Sequence, residues 1–223
     1  MLFEENKNRK PLTIFYYILF LALEMLVVTN NKLLANFDLT IQNVVSPMVT
    51  SARTSVFVLI SFLGSPIMSF ILAMFIAVLL YSKNRKVDAI WTALTYLGGN
   101  VVAFLIKEIV RRPRPVDKVV SDSGFSFPSG HVFGLTLLIL IVVYLLLPYV
   151  KNQESRFSLL VVMVIWLLLV AFSRVYLRGH YMSDIFGSVI IAAAWWESAE
   201  LLYIRYAQRL NDFLELRLKK ANN

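Results

Sequence analysis

Residues 131–149, HVFGLTLLILIVVYLLLPY, contain no Asp, Glu, Lys or Arg. About 20 predominantly apolar residues are enough to cross the hydrocarbon core of a bilayer as a helix, and this run is too uniformly apolar for the surface helix of a soluble domain. Five further stretches of the same kind lie near 12–29, 56–81, 88–106, 157–175 and 184–204. The whole chain agrees: of its 223 residues 58% are hydrophobic and 16% charged, with a mean hydropathy of +0.68. A soluble domain of this length needs more polar surface. The fold expected is all-α, a polytopic membrane protein with six transmembrane helices.

No Pro/Ser-rich linker, low-complexity tract or internal repeat interrupts the apolar runs, so residues 1–223 read as one domain. The absence of cysteine excludes disulfides, zinc–thiolate sites and iron–sulfur clusters. The net charge of +8 belongs in cytoplasmic loops more naturally than on a nucleic-acid surface. The expected partner is therefore the lipid bilayer; nucleic acid is not, and no obligate protein partner is evident.

Lys and Arg in short loops set the orientation. Lys7, Arg9 and Lys10 precede the first span. Lys83, Arg85 and Lys86 follow the second, Lys151 and Arg156 follow the fourth, and Arg205, Arg209, Arg217, Lys219 and Lys220 follow the sixth. Crossing parity puts all of them on one side, the cytoplasmic one, with both termini. The basic prelude to the first span could announce a signal peptide, but Leu33-Leu34-Ala35-Asn36-Phe37 is a poor cleavage site, so that span is read as uncleaved. Between the first two spans Leu33, Phe37, Ile41, Val44 and Met48 recur at helical spacing, with Asn36 and Asp38 as caps. This predicts an amphipathic helix, lying in the outer interface or packed on the bundle.

Two clusters break the charge rule. Lys107, Arg111, Arg112, Arg114 and Lys118 follow the third span, and Arg174 and Arg178 follow the fifth, all on the outer side. Cations placed there need a reason, and an anionic ligand at the outer surface would supply one. Three segments concentrate the unexplained polar residues: Lys107 to Arg114-Pro115; Pro128-Ser129-Gly130-His131; and Ser173-Arg174 with His180 and Asp184 downstream. Both histidines of the chain fall in them, and parity permits the three to converge.

Phosphate-ester hydrolysis must hold negative charge, present a nucleophile in line and protonate a departing oxygen. Lys107, Arg114 and Arg174 suit the phosphate oxygens. Ser129 and Gly130 precede a helix, where backbone N–H groups can meet an anion. His180 and Asp184, spaced i, i+4, predict a shared helical face: the acid orients one ring nitrogen and leaves the other to attack. His131 remains as the general acid.

At these residues the chain resembles the type 2 phosphatidic acid phosphatase superfamily of membrane lipid phosphatases. Its three signatures, Lys-x6-Arg-Pro, Pro-Ser-Gly-His and Ser-Arg-x5-His-x3-Asp, occur in order with no fixed position substituted. The resemblance implies a six-helix bundle and hydrolysis through a phosphohistidine, with no cofactor and no metal. It makes His180 the nucleophile, Asp184 its orienter and His131 the acid, while Lys107, Arg114, Ser129, Gly130 and Arg174 bind phosphate. The implied substrate is a membrane lipid phosphate such as undecaprenyl diphosphate, phosphatidylglycerol phosphate or phosphatidic acid, met at the outer face of the plasma membrane. A lipid phosphotransferase would use the same groups. An anion transporter would explain the misplaced charge but not the two histidines.

Blander readings fit the other polar residues. Arg111, Arg112 and Arg178, not fixed in the signatures, read as interfacial or headgroup charges. Glu24, Glu197 and Glu200, inside spans, read as protonated or hydrogen-bonded between helices. Trp91, Trp166, Trp195 and Trp196 read as anchors or packing.

Overall fold

The computed structural model describes residues 9–221, with side chains as far as Leu216. Lys7 and the side chains of Arg217, Lys219 and Lys220 lie outside the described residues. Eight α-helices follow in order: α1 (Arg9–Val28), α2 (Lys32–Val45), α3 (Ser51–Leu63), α4 (Pro66–Ser82), α5 (Lys86–Val110), α6 (Gly130–Leu145), α7 (Gln153–Tyr176) and α8 (Met182–Ala221). No strand occurs among the described residues. Taking α3 and α4 as one crossing, six segments are long and apolar enough to span a membrane.

The helix that is apolar all round, α6, takes the centre, packed against α4, α5, α7 and α8. Phe133, Leu137, Ile141 and Leu145 are fully buried there. By contrast α1 buries only Thr13, Phe20 and Val27 and lies against α8, leaving Ile14, Phe15, Ile18 and Leu21 exposed as a lipid-facing belt. Arg9 forms ion pairs from α1 to Glu200 and, at 3.9 Å, to Glu197 on α8. Both acids thus serve contact between helices. The Trp91 indole donates to the Ala199 carbonyl at 2.9 Å and that of Trp195 to Thr95 at 2.8 Å, joining α5 to α8.

The second span, expected as one run over 56–81, is broken. Pro66 at the start of α4 has no N–H to continue α3, and the Ser65 hydroxyl caps α4 by accepting from the Met68 amide at 3.3 Å. At Gly64 a Cβ would lie 2.4 Å from Val170 Cγ2 on α7, so only glycine fits this corner. The sixth span also departs from expectation, because its helix continues past 204 to Ala221. The apolar run ends there but the helix does not, and on its surface the Gln208 side chain donates to Asp212 and that of Asn211 to Glu215, each pair one turn apart.

The helix expected between the first two spans is α2. Its cap is Asn31, whose side chain accepts from the Leu33 and Leu34 amides at 3.0 and 3.3 Å, not Asn36 or Asp38. Leu33, Phe37 and Val44 point outward, while Asp38 is 1% exposed and faces the bundle.

Candidate active site

The C-terminal ends of α5 and α7, the N-terminal ends of α6 and α8, and the inner face of α2 meet at one end of the bundle. Lys107 stands on the last turn of α5. Arg111, in a left-handed conformation (φ 49°), closes that helix, and Pro113 and Pro115 keep the chain from resuming it. The connection to α6 folds back over the bundle. The Ser126 amide donates to the Arg112 carbonyl at 2.8 Å, and the Val119 amide to Leu177 at the end of α7 at 3.1 Å.

His180 sits in the turn before α8, and Asp184 lies within the first turn of that helix. The pair therefore does not share a helical face as its spacing predicts; the turn brings them together. His180 is 2% exposed and Asp184 0%. Ring nitrogen Nδ1 lies 2.7 Å from the carbonyl oxygen of Ser126 and 3.5 Å from Asp184 Oδ2. Both neighbours are acceptors, so Nδ1 carries the proton and Nε2 keeps its lone pair. Nε2 faces Arg114 Nη1 at 3.2 Å. Burial pushes the His180 pKa down to about 4, against the opposing pull of Asp184, so the ring is neutral at physiological pH.

Arg114 is held by three carbonyls: Gly124 at 3.0 Å, Gly179 at 2.8 Å and Ser123 at 2.8 Å. Arg174, 2% exposed, donates to Ser61 Oγ of α3 at 2.6 Å and pairs with Asp122. The same Asp122 oxygen is 3.5 Å from Arg114. One carboxylate of the α5–α6 connection thus bridges the two arginines expected to hold phosphate. Gly179 lets this cluster close, since a Cβ there would lie 2.5 Å from both Arg174 Nη2 and Asp122 Oδ2. Lys107 Nζ donates to the Phe125 carbonyl at 2.7 Å. His131, on the first turn of α6, is half-buried within electrostatic range of Arg174, His180, Arg114 and Lys107.

Ser129 departs from the sequence reading. Its amide is taken by Ser188 Oγ at 2.7 Å and is not free for an anion, whereas its buried hydroxyl has no hydrogen-bond partner. The side chain, rather than the backbone, is the group left to meet a ligand. Gly130 opens α6 beside it, with its nearest neighbour, Pro66, at ordinary contact distance even for an added Cβ.

All eight residues singled out in the sequence therefore gather at this end of the bundle. Three others enter unannounced. Arg112, read as an interfacial charge, instead donates to Asp184 Oδ1 at 2.5 Å, Ser183 Oγ at 2.7 Å and Asp38 Oδ2 at 2.7 Å. Asp38, read as a cap, is its second acid. Asp122 carried no sequence signal. By contrast the Arg111 side chain donates to the Glu108 carbonyl of its own helix, and Arg178 reaches Ser46 and Asp117, so neither joins the site.

Comparison with known proteins adds three findings. The family model described as PAP2 superfamily matches residues 66–208, well over half of the chain. Undecaprenyl-diphosphatase BcrC of Bacillus subtilis (strain 168) is 26% identical over 141 residues, 60% of this chain and 65% of that one. Phosphatidylglycerophosphatase B of the same strain is 27% identical over 112 residues, 48% of this chain and 54% of that one. The chain thus spans less than two thirds of the length of these two relatives. Among solved structures, the PAP2 type phosphatidylglycerolphosphate phosphatase from Bacillus subtilis superposes with a TM-score of 0.73 over 86% of this chain and 96% of that one. At 20% identity this likeness speaks for the fold.

Proposed function

The chain belongs to the PAP2 superfamily, and from that premise we propose that residues 1–223 form one integral membrane lipid phosphatase working through a phosphohistidine. The observation that carries the mechanism is the setting of His180. Its Nδ1–H is held by the Ser126 carbonyl with Asp184 behind it, and its Nε2 lies beside the Arg114 guanidinium.

In this reading Lys107, Arg114, Arg174 and the Ser129 hydroxyl hold the phosphate oxygens, and Gly130 leaves them room. Nε2 of His180 forms a bond to phosphorus as the bond from phosphorus to the lipid or diphosphate oxygen breaks. That oxygen takes a proton from His131. Water then attacks the phosphohistidine, gives its proton to His131, and releases inorganic phosphate with His180 restored. Asp184 offsets the positive charge that the imidazole gains while it carries the phosphoryl group.

The substrate class is a membrane lipid phosphate: undecaprenyl diphosphate, phosphatidylglycerol phosphate or phosphatidic acid. The names of the relatives support the first two. The site belongs at the outer leaflet of the plasma membrane with both termini inside, because Lys83, Arg85, Lys86, Lys151 and Arg156 lie at the ends of helices remote from it. In this reading the phosphoryl group passes through the histidine, and the chemistry needs no metal. The deciding experiment is phosphate release by the purified protein from these three lipids in detergent, with and without EDTA. Release from more than one lipid, indifferent to EDTA, is expected. No release with any lipid removes the proposal in favour of anion transport, and loss on chelation restored by magnesium removes the histidine mechanism.

A further inference from the structure

We infer that Arg112 and Asp38 are positioning residues for Asp184, so that the helix outside the membrane-spanning set, α2, completes the support of the carboxylate behind His180. The inference rests on the reading of His180 and Asp184 given above.

Asp184 is fully buried, and a buried carboxylate without a counterion takes up a proton or turns away. Its two oxygens are divided. Oδ2 accepts from the Tyr181 amide at 2.9 Å and faces His180. Oδ1 accepts from Arg112 at 2.5 Å. Arg112 therefore neutralises the acid from the side away from the histidine and leaves Oδ2 aimed at the ring.

Arg112 is itself fixed on three sides. Asp38 and Ser183 accept from it, and its guanidinium lies over the Tyr181 ring, 4.2 Å from the centroid. Asp38 uses both of its oxygens. Oδ1 accepts the Ser183 amide at 3.0 Å, and Oδ2 the Ser183 hydroxyl at 2.6 Å together with Arg112. Two aspartates on one arginine leave the cluster one negative charge in excess, suited to an imidazole that becomes cationic when phosphorylated.

The sequence explains why Arg112, and not Arg111, does this. Arg112 and Arg114 each precede a proline, which drives both into extended conformation. Residues two apart on an extended segment share a side. Arg114 reaches the nucleophile's Nε2 and Arg112 the acid behind it, so one four-residue stretch serves both ends of the pair.

The test uses the full chain in detergent, with a short-chain phosphatidic acid as substrate. Arg112→Gln and Asp38→Asn are made alone and in the Asp184→Asn background, with Arg112→Lys as the conservative variant. Expected are losses in kcat of about 30-fold and about 10-fold with KM held within about twofold, because neither residue touches phosphate. Arg112→Lys, which keeps the charge and loses the fork, should fall between. In the Asp184→Asn background each change should cost less than about threefold, the non-additivity of groups that act through one another. Equal losses in both backgrounds, or losses in kcat that only follow the folded fraction in thermal melts, overturn the inference. A silent Arg112→Gln in an enzyme that His180→Gln kills defeats this inference alone. An enzyme indifferent to His180→Gln defeats the reading of the site beneath it.

Discussion

His180 Nδ1 lies 2.7 Å from the carbonyl oxygen of Ser126, nearer than the 3.5 Å that separates it from the Asp184 carboxylate. The proton on Nδ1 is therefore held chiefly by the backbone, and the carboxylate adds charge more than it selects the tautomer. In a serine-protease triad, where an acid alone sets the tautomer, its amide variant costs about 10⁴-fold. Asp184→Asn should cost less here, about 10²- to 10³-fold in kcat, while His180→Gln abolishes both turnover and the acid-labile phosphoenzyme trapped from labelled substrate. A loss of 10⁴-fold or more for Asp184→Asn would show that Ser126 does not hold the ring.

His131 is assigned to the leaving group, so its importance should follow leaving-group basicity. His131→Ala should slow release from phosphatidic acid by at least about 10²-fold and spare p-nitrophenyl phosphate, whose phenolate leaves with little protonation. Equal losses on both substrates, or phosphate trapped on His131, would reverse the roles of the two histidines.

Asp122 bridges Arg114 and Arg174, the two arginines proposed to hold phosphate. Substrate must draw at least one arginine away from a carboxylate that competes for the same donors. Asp122→Asn should tighten inhibition by orthovanadate about fivefold, which is roughly 1 kcal/mol. Weaker vanadate binding in this variant would mean that the carboxylate orients the arginines rather than competing with their ligand.

The pKa of His180 is lowered by burial from 6.5 to about 4, so the folded protein binds no proton there between those values while the unfolded chain does. The sign follows: this group's contribution to stability is fully present above pH 6.5 and is lost as pH falls from 6.5 toward 4. Thermal midpoints in detergent should drop across this window more steeply for the native chain than for His180→Gln. Parallel curves would place the proton elsewhere.

Six crossings were legible in the sequence because the bilayer demands long apolar runs, and α6 declares its central place by being apolar on every side. The eight candidate residues were legible because each sits in a signature of fixed spacing. What escaped was set by tertiary partners. The Ser129 amide looked available until Ser188, 59 residues away, was seen to accept it. Asp38 stood where a cap was plausible, and its inward direction depends on how α2 docks on α8. Arg112 could have been found: both arginines of Arg112-Pro113-Arg114-Pro115 precede prolines, a local rule that puts them on one side.

Arg112 also has a place in time. A chain made from its amino end presents Asp38, 74 residues upstream, before Arg112 leaves the ribosome, and Asp184, 72 residues downstream, well after it. The arginine can therefore be neutralised by an acid already delivered, and need not wait uncompensated for α8. When α8 arrives, Asp184 meets a cation already anchored. Synthesis thus delivers the carboxylate behind His180 last of the three charges.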